Sequence, residues 1–387
     1  MRICHVITKP ELGGAQLSTL NTLINLPKDK YETFLITSPN GMLRTEFRNL
    51  KRVRVFLSPF LIHPIFPIVD ILALIHIYNI YKGRKISLVH THSSKAGIIG
   101  RWAAFFYNIT TYGRRREGKG CRIVHTVHGW SFNDFQPFIL KRFFIFLERL
   151  TAKFTTKIIC VSKKDIEIGI KYKVAPREKF IFIKYGISLS DFRKTCIDSL
   201  EKRKELGINN NDPVVGMISC LKPQKAPLDY IRASIEVYEK MSNINFLLIG
   251  DGVLKKRCEK ALANSPLNGR FIFTGWIRDI SEILDILDVV VLTSKWEGMT
   301  IAIIEALCKG CPVVATDVGV KELVKDGITG YLAPVGSYQK IAEGVLRILS
   351  DPITLVKMKR EASMAIDDSF GLDRMVNELE NLYDRLN

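Results

Sequence analysis

Long apolar runs are missing from this chain of 387 residues. A membrane-spanning helix needs about 20 consecutive apolar residues, whereas the most apolar segment, residues 55–81, is broken by proline and charge. The interrupting residues are Pro59, Pro64, Pro67 and Asp70. We therefore expect no transmembrane helix, and residues 69–81 predict a buried helix instead. Residues 1–8 predict a short strand that leads into a glycine turn, so we expect no secretory signal either.

Cysteine frameworks and acidic metal motifs are also missing. The eight cysteines have no framework spacing, which is typical of reduced thiols in a cytosol. Cys308 and Cys311 form a C-x-x-C pattern, but no second Cys or His pair accompanies it. Four histidines, at positions 90, 92, 125 and 128, end two predicted strands and raise the alternative of a metal site, yet no carboxylate joins them at ligand spacing. There is also no Asp-x-Asp triplet, and we expect neither a metal nor a cofactor.

Negative charge is outnumbered, since 57 Lys and Arg against 39 Asp and Glu give a net charge of +18. The basic clusters are residues 51–54, 82–85 and, most densely, 114–119. They predict either solvated loops or a surface that binds an anionic membrane leaflet. No nucleic-acid module accompanies them, so we expect no nucleic-acid partner. The aromatic stretch 132–154 has two possible interpretations, a surface that faces the membrane or residues that pack in the core. The residues in question are Phe138, Phe143, Phe144 and Phe146.

What the chain does contain is an alternation of short apolar strands with helical runs, which favours parallel α/β sheets. The hydrophobic content of 47% is typical of a globular protein, and the length suits two domains. The strand candidates are residues 2–7, 34–37, 53–57, 88–92, 122–127, 157–161 and 180–184 in the first half, and 213–219, 245–250, 270–274, 289–293, 312–316 and 330–332 in the second. We expect two Rossmann-like domains facing across a cleft, residues 1–190 and 191–368, with residues 191–204 as a linker and a terminal helix in residues 369–387.

The segment 294–316 carries the strongest chemical signal. Glu297 and Glu305 lie eight residues apart, the first in a loop and the second inside an apolar helical run. Ligands of open α/β sheets bind at the carboxyl ends of the strands, where helix N-termini point. The backbone N–H groups of Gly298, Met299 and Thr300 would therefore face an anion. Two carboxylates beside an anion site suit a ligand that combines phosphate with many hydroxyls, which is the chemistry of a nucleotide sugar.

This segment resembles the donor-site signature of the retaining GT-B glycosyltransferases of family 4, which is a glutamate, a glycine-rich turn and a second glutamate. The usual Glu-Gly-Phe-Gly is here Glu297-Gly-Met-Thr300, which keeps the backbone N–H groups. The resemblance implies a GT-B fold whose terminal helix crosses back onto the N-terminal domain. It also implies that Glu297 contacts the sugar and stabilises the oxocarbenium-like centre, and that Glu305 binds the ribose hydroxyls.

Two segments of the first half resemble the same family. Gly13 and Gly14 follow the first strand, and adjacent glycines permit close backbone approach and positive φ. The resemblance implies that they lie beside the donor pyrophosphate. The run at residues 92–95 ends a strand and opens a helix, so its lysine predicts binding of an anionic acceptor group. The acceptor-binding candidates are His92, Ser93, Ser94 and Lys95. The resemblance further implies that His128 orients the sugar, whereas His125 is predicted to be a core residue.

The second half supplies the candidates for binding the diphosphate and the base. In the family an Arg precedes a Lys by five residues, and both clamp the diphosphate. Lys225 matches the Lys, but the Arg position falls on Cys220, so Lys222 is the expected substitute, as a point charge without a bidentate fork. The other donor-binding candidates implied by the resemblance are Gly252 in a strand-end turn and Trp276 and Ile277 along the nucleobase. Tyr185 is assigned a hinge or cleft role.

We therefore expect a retaining, metal-independent hexosyltransferase that moves a sugar from a nucleoside diphosphate sugar, a UDP sugar above others, to a hydroxyl of a lipid-linked glycan acceptor. The resemblance to bacterial enzymes of capsular and surface polysaccharides implies a cytoplasmic protein, peripheral on the inner face of the cell membrane. Glu297, His128 and Lys225 are the expected catalytic residues, because cations and N–H groups would stabilise the leaving diphosphate. Two alternatives stay open, a GT-B UDP-sugar 2-epimerase and a non-catalytic basic protein that binds a membrane or nucleic acid.

Overall fold

The computed structural model describes residues 1–62, 65–113, 120–194, 199–267 and 269–387. The chain divides into two compact units. Met1–Gly186 and Leu372–Asn387 form the N-terminal unit, and Ile187–Gly371 forms the C-terminal unit. These divisions lie a few residues from the predicted domain limits. The predicted basic run Arg114–Arg116 lies outside the described residues.

The N-terminal unit is built around a sheet of seven parallel strands. Its strands are β1 (Arg2–Val6), β2 (Glu32–Thr37), β3 (Val53–Leu57), β4 (Leu88–His92), β5 (Arg122–Val127), β6 (Lys157–Cys160) and β7 (Phe180–Phe182). The spatial order is β3-β2-β1-β4-β5-β6-β7, so the order reverses between β1 and β4. Its first six helices are α1 (Gly14–Asn25), α2 (Arg44–Arg48), α3 (Pro67–Arg84), α4 (Ser94–Tyr112), α5 (Phe138–Ala152) and α6 (Lys163–Lys171). A reversal of this kind opens a crevice at the carboxyl ends of the two strands, where ligands of α/β sheets bind.

The C-terminal unit repeats the plan with six parallel strands. They are β8 (Val214–Ile218), β9 (Asn245–Ile249), β10 (Phe271–Gly275), β11 (Val289–Leu292), β12 (Val313–Thr316) and β13 (Gly330–Ala333), in the order β10-β9-β8-β11-β12-β13. Its helices are α7 (Leu189–Arg193), α8 (Ser199–Glu205), α9 (Pro227–Lys240), α10 (Lys255–Ala263), α11 (Ile280–Leu284), α12 (Ile301–Cys308), α13 (Tyr338–Leu349) and α14 (Pro352–Met364). The order reverses between β8 and β11. The α/β prediction of two Rossmann-like domains is confirmed.

The last helix, α15 (Leu372–Leu386), packs on the N-terminal unit. Its apolar side chains recur at spacings of three and four, as expected of an amphipathic helix, and enter a core with strand residues such as Ile3, Leu88 and Val124. The buried residues of the helix are Met375, Val376, Leu379, Leu382 and Tyr383. The predicted return of the terminal helix to the N-terminal unit is therefore confirmed.

Two expectations about single elements are corrected. The segment predicted as a linker, residues 191–204, contributes to two short helices, α7 and α8, because its charged residues are compatible with exposed helix faces. Residues 69–81 do form a helix, within α3, but the prediction of burial is wrong for one face of it. The exposed side chains on that face are Ile68, Ile71, Leu72 and Ile75. Among the described residues, no helix combines the length and the apolarity that crossing a bilayer requires.

Candidate active site

The loops after β8 and β11 meet at the reversal point of the C-terminal unit. The backbone N–H of Lys295 donates to the carbonyl of Gln224 at 2.7 Å, and the Gln224 side-chain amide donates to the carbonyl of Trp296 at 2.8 Å. The Thr293 hydroxyl donates to the carbonyl of Lys225 at 3.0 Å. These bonds fix the two loops against each other, so the predicted donor-binding segments share one edge of the sheet.

Lys225 and Glu297, from these two loops, form an ion pair. The Lys225 Nζ lies 2.5 Å from Glu297 Oε1, and the Ser294 hydroxyl donates to the same oxygen at 2.5 Å. Both charged side chains are mostly buried, with 15% and 8% of their surfaces exposed. The ammonium is therefore held in position before any ligand arrives, which is the preorganisation that electrostatic stabilisation of developing charge requires.

The backbone amides beside this pair are free to bind an anion. Among the described residues, the N–H groups of Gly298, Met299 and Thr300 have no hydrogen-bond acceptor. The buried Thr300 Oγ1 also has no partner in the described part of the chain. Thr300 is the residue before α12, so the positive end of the helix dipole adds to the three N–H groups. The predicted anion cradle therefore has the required donors.

Glu305 lies in the second turn of α12 and is almost completely buried, with 9% of its surface exposed. Burial raises the pKa of its carboxyl from 4.5 to about 7. The carboxyl is shielded from water and forms no ion pair with any residue that the structure describes. Such a carboxyl is suited to bind neutral hydroxyls, because hydrogen bonds to a carboxylate are strong in such surroundings.

The remaining donor-binding candidates of the C-terminal unit lie on neighbouring loops of the same edge. Gly250, at the end of β9, has φ of +132°, and a Cβ there would lie 2.0 Å from the Ser219 carbonyl oxygen. A Cβ on Gly252 would lie 2.6 Å from the carbonyl oxygen of Leu221, so these glycines allow two loops to approach closely. Trp276 and Ile277 follow β10, the next strand in the sheet. The structure therefore collects the candidates at the ends of β8, β9, β10 and β11.

Lys222, the proposed substitute for the family arginine, is exposed, and its side chain makes no ion pair or hydrogen bond with the described residues. Cys220, at the arginine position, is half-buried. The ammonium of Lys222 is therefore available to an anion, in contrast to that of Lys225.

In the N-terminal unit, the loops after β1 and β4 meet at the other reversal point. The hydroxyls of Thr8 and Ser93 lie 2.9 Å apart, and the Thr8 hydroxyl also accepts from the N–H of Ala96. Ser93 has φ of +60° and ψ of 162°, a region that is costly for any residue other than glycine. Such strain concentrates at functional sites and costs about 1–3 kcal/mol.

Gly13 behaves differently from the expectation. It precedes α1 with φ of −133°, so no positive φ requires a glycine there. An added Cβ would meet only the end of the flexible Gln16 side chain, at 2.8 Å. Gly13 and its neighbour Gly14 therefore provide backbone that no side chain covers, at the edge of the sheet.

Two of the acceptor-binding candidates are already paired. Lys95 forms an ion pair with Asp70 of α3 at 2.5 Å, and both side chains are largely buried. His92, at the end of β4, is buried and lies in a row of hydrogen-bonded histidines. Ser94, half-exposed, opens α4. An anionic acceptor would therefore compete with Asp70 for the ammonium of Lys95.

His128 is a partly buried member of a row of hydrogen-bonded rings. Its Nδ1 lies 2.6 Å from the Tyr185 hydroxyl and its Nε2 lies 3.1 Å from Nδ1 of His92. His92 Nε2 in turn lies 3.0 Å from Nδ1 of His5. Burial lowers the pKa of His128 to about 3, so its ring is neutral. Both ring nitrogens are engaged, and a sugar hydroxyl would have to replace one of these partners. His125 is separate, bonded to Thr91 in the core as predicted.

The histidine row is also where a metal ion has to be considered. Nitrogens of His5, His90 and His92 come within 4.8 Å of one another, the one such group among the described residues. However, His90 is bonded on one side to the Tyr383 hydroxyl at 2.6 Å and on the other to the Thr126 hydroxyl at 2.7 Å. Every ring nitrogen of the three has a partner except Nε2 of His5. The cluster is therefore organised as a hydrogen-bonded network, in which a metal would have to displace existing bonds.

Sequence reasoning missed three contributors to this site. His5 lies directly opposite His90 in the β1–β4 pairing, so the strand register brings the rings together. Arg101 and Glu148 form a fully buried ion pair at 2.8 Å that joins α4 to α5, and Ser131 donates to the same carboxylate at 3.3 Å. The two-residue spacing of His90 and His92 on one strand was the available signal for the row. No local pattern marks an ion pair between residues 47 positions apart.

Comparison with known proteins gives a consistent result. The family model described as "Glycosyltransferase Family 4" matches residues 12–191, and the one described as "Glycosyl transferases group 1" matches residues 198–364. The chain is 33% identical, over 99% of its length and 96% of the relative, to a UDP-Gal:alpha-D-GlcNAc-diphosphoundecaprenol alpha-1,3-galactosyltransferase from Escherichia coli. It is 24% identical to the capsular polysaccharide biosynthesis glycosyltransferase CapM from Staphylococcus aureus, over 81% of this chain and 80% of CapM.

Solved structures agree in fold. HepE from Anabaena, crystallised with UDP-glucose, aligns with a TM-score of 0.82 at 20% identity over the whole of both chains. Sucrose-phosphate synthase from Thermosynechococcus elongatus aligns with a TM-score of 0.80 at 17% identity, over all of this chain and 99% of the other. These comparisons support neither the epimerase nor the non-catalytic binding protein.

Proposed function

Because the chain belongs to the family 4 glycosyltransferases, we propose that it transfers a sugar from a UDP sugar to a hydroxyl of a lipid-linked glycan in surface-polysaccharide biosynthesis. The reaction would retain the anomeric configuration and need no metal ion. The E. coli relative is named for UDP-galactose and a diphosphoundecaprenol-linked acceptor, which supports both the donor class and the lipid-linked acceptor.

The observation that carries the proposal is the anion cradle of the C-terminal unit. Three free amides at residues 298–300 and the N-terminus of α12 suit the diphosphate of the donor. The shielded carboxyl of Glu305 suits the ribose hydroxyls. The exposed ammonium of Lys222 supplies the charge that is missing at Cys220.

Charge on the leaving diphosphate increases as the bond to the sugar breaks. Lys225 and the amides would stabilise this charge, and they would do so without reorganisation because the Lys225–Glu297 pair is already held in place. Glu297 would then share its hydrogen-bonding capacity between Lys225 and a sugar hydroxyl, next to the positively charged reacting carbon. Cations and amides in these positions perform the role that a metal ion performs elsewhere.

We propose that the configuration is retained by front-face displacement, in which a phosphate oxygen of the donor accepts the proton of the acceptor hydroxyl; the family supports this proposal. His128 would orient the sugar as a neutral hydrogen-bonding ring. We further propose that the protein works as a peripheral protein on the inner face of the cell membrane, where a lipid-linked acceptor is found.

The test is a transfer assay with a panel of nucleotide sugars and a short-chain diphosphate-linked sugar acceptor, with and without a chelator. We expect one UDP sugar to be consumed, the α-anomeric product to be formed from an α-linked donor by NMR, and no effect of the chelator. Release of an epimerised UDP sugar in the absence of acceptor, or loss of activity on chelation, would contradict the proposal. Lys240→Ala, an exposed lysine at the end of α9, is the matched control for lysine variants.

A further inference from the structure

Three neighbouring helices of the N-terminal unit expose an unusual number of large apolar side chains. We call this surface the apolar face; its residues are Ile68, Ile71, Leu72 and Ile75 of α3, Phe106 of α4, and Phe138, Ile139, Leu140, Phe143 and Phe146 of α5. Ile68 is 77% exposed, and Ile139 is 82% exposed. Many large exposed apolar side chains on neighbouring helices point to an interaction surface, whereas single exposed apolar residues are ordinary.

Each outer helix carries a second apolar stripe. On α3 the exposed residues follow one another at spacings of three, one and three, which is one side of a helix, while Ala73, Ile77 and Tyr81 pack in the core on the other side. On α5, the exposed residues at positions 139, 143 and 146 have spacings of four and three and also lie on one side of the helix, whereas Ile145 is buried in the core. A helix of a soluble protein needs only one such stripe to fold, so the second stripe requires another explanation.

The helices form one layer. α4 packs against both α3 and α5. Between α3 and α5, helix α4 contributes aromatic rings. The ring centroids of Trp102 and Phe106 lie 5.8 Å apart, and Phe105 is next to them. The exposed apolar side chains of the three helices therefore belong to one side of the unit.

The charges on this layer are of one sign. The three helices, all fully described, contain two acidic residues, and neither is available at the surface. Asp70 pairs with Lys95, and Glu148 is buried against Arg101. The exposed charges on the helices are Lys82, Arg84, Arg142 and Arg149. A second copy of the chain on this face would bring like charges together, whereas an anionic lipid leaflet complements them.

The apolar face also lies at the edge of the sheet that carries the acceptor-binding candidates. A helix that follows a parallel strand begins at the carboxyl edge of the sheet. The exposed apolar residues of α3 and α5 fall in the first three turns of each helix, and Phe106 lies in the fourth turn of α4. The Lys95–Asp70 pair joins the start of α4 to α3 within one turn of Ile68 and Ile71. A surface that penetrates lipid here would bring the turn at residues 92–95 close to the headgroup region.

We propose that the apolar face inserts into an anionic lipid bilayer and presents the turn at residues 92–95 to the membrane surface. This inference rests on the proposed function, because the bilayer would be the source of the lipid-linked acceptor. Amphipathic helices bury their apolar faces about 5–10 Å into the boundary between headgroups and acyl chains. Insertion accounts for the second apolar stripe, and the leaflet charge accounts for the absence of exposed acidic residues on the three helices.

The test measures flotation of the full chain with phosphatidylglycerol vesicles and with phosphatidylcholine vesicles. Two double variants remove apolar side chains from α5 and α3, Phe143→Ser with Phe146→Ser, and Ile71→Ser with Ile75→Ser. The matched control removes two apolar side chains that are still more exposed, from α14 of the other unit, Ile353→Ser with Val356→Ser. Each apolar side chain withdrawn from lipid lowers partitioning by about tenfold or more, so each double variant should bind vesicles about a hundredfold more weakly. The control should bind like the parent.

Transfer assays separate docking from catalysis. With a water-soluble short-chain acceptor, the double variants should keep the parent rate, which also shows that they fold; with a long-chain acceptor in vesicles, they should lose most of it. Vesicle binding by the double variants at the parent level would overturn the proposal. So would a parent that ignores vesicles but self-associates in sedimentation, with self-association abolished by the same variants. A parent that binds vesicles through this face yet transfers no sugar would support docking and contradict the proposed function.

Discussion

Glu305 shows how burial changes the pKa of a single carboxyl. Its pKa of about 7 lies above the usual 4.5 because the folded protein shields the carboxyl from water. The folded state therefore favours the neutral form, and the stability of the protein falls as the pH rises from about 4.5 to about 7. Glu305→Gln removes this cost, so we expect a higher melting temperature than that of the parent at pH 8 and little difference at pH 4.5.

The same titration should appear in donor binding. The ionised carboxylate accepts hydrogen bonds from ribose hydroxyls more strongly than the neutral acid does, so the affinity for UDP should fall as the pH is lowered from 8 to 6. Calorimetry of the parent against Glu305→Gln isolates this effect, because the titration of UDP itself is common to both. Glu305→Ala should weaken binding by about tenfold to a hundredfold, the loss of a hydrogen bond to a charged group. Unchanged affinity would show that Glu305 does not bind the ribose.

The two lysines after β8 should differ in their effects on turnover. Lys225 is held in an ion pair with Glu297 at 2.5 Å, so Lys225→Ala removes a positioned cation and leaves a mostly buried carboxylate unpaired. We expect kcat to fall by about a hundredfold to a thousandfold. Lys222→Ala should have a comparable effect only if this exposed lysine replaces the arginine that is missing at Cys220. An unchanged rate for Lys222→Ala would mean that Cys220 is not compensated from this loop.

Tyr185 should control the orientation of His128. Its hydroxyl lies 2.6 Å from Nδ1 of His128, so Tyr185→Phe leaves one side of the ring without its partner. A neutral hydrogen bond contributes about 0.5–1.5 kcal/mol, so kcat should fall by up to about tenfold with little change in KM for the donor. The ¹⁵N resonances of His128 should report a changed tautomer distribution. Tyr172→Phe, at a hydroxyl that contacts Lys141, is the control. Identical His128 spectra in Tyr185→Phe and the parent would refute the assignment.

At the scale of elements, the fold was largely predictable. The thirteen strands in the described part of the chain were all predicted within a few residues, because buried parallel strands are short apolar runs that end at glycine or polar turns. The predictions that failed concern which helix faces are buried and which segment is a linker. The apolar content of α3 was explained as burial, since a sequence pattern does not tell an exposed apolar stripe from a buried one. Of the four phenylalanines left open, Phe144 packs in a core and the other three are exposed.

The site was predictable where one segment carries it and not where the fold assembles it. The amides at residues 298–300 and both glutamates lie within nine residues, so their chemistry could be inferred from spacing. The histidine row joins β1, β4 and the end of β5 with Tyr185, and only the strand register brings these residues together. The pairing of Lys95 with Asp70 also comes from tertiary packing, and it changes the expected state of an acceptor-binding candidate.

The terminal helix α15 is an element whose stability contribution follows from its contacts. Tyr383 is fully buried, and its hydroxyl is the partner of His90 Nδ1 at 2.6 Å. Tyr383→Phe leaves this buried nitrogen unpaired, which should cost about 1–3 kcal/mol of unfolding free energy. Chemical denaturation of the parent and the variant measures it. Asn377→Ala, on the exposed face of the same helix, should change stability by about 0.5 kcal/mol or less. An equal effect of both variants would show that the hydroxyl does not stabilise the histidine network.

At the scale of the whole molecule, the two units use the same architecture. Each sheet reverses its strand order once, between β1 and β4 or between β8 and β11, and the candidates of each unit lie at that reversal or at the ends of the neighbouring strands. The C-terminal unit carries free amides and a positioned cation, which suit a donor diphosphate. The N-terminal unit carries the histidine row and the turn at residues 92–95, together with the apolar face. The net charge of the whole chain is the remaining feature, and it affects binding of the protein to a membrane.

The net charge of +18 and the apolar face predict that membrane binding has two components. Each Lys or Arg near an anionic leaflet contributes about 1 kcal/mol, and salt screens this attraction with a Debye length of about 8 Å at physiological ionic strength. Apolar insertion is not screened. We therefore expect flotation with phosphatidylglycerol vesicles to weaken as salt is raised and then to level off above zero. The double variant Arg142→Glu with Arg149→Glu should lower the salt-sensitive part of vesicle binding. The double variant Phe143→Ser with Phe146→Ser should lower the part that remains at high salt. Binding that vanishes completely at high salt would mean that charge alone holds the protein on the membrane.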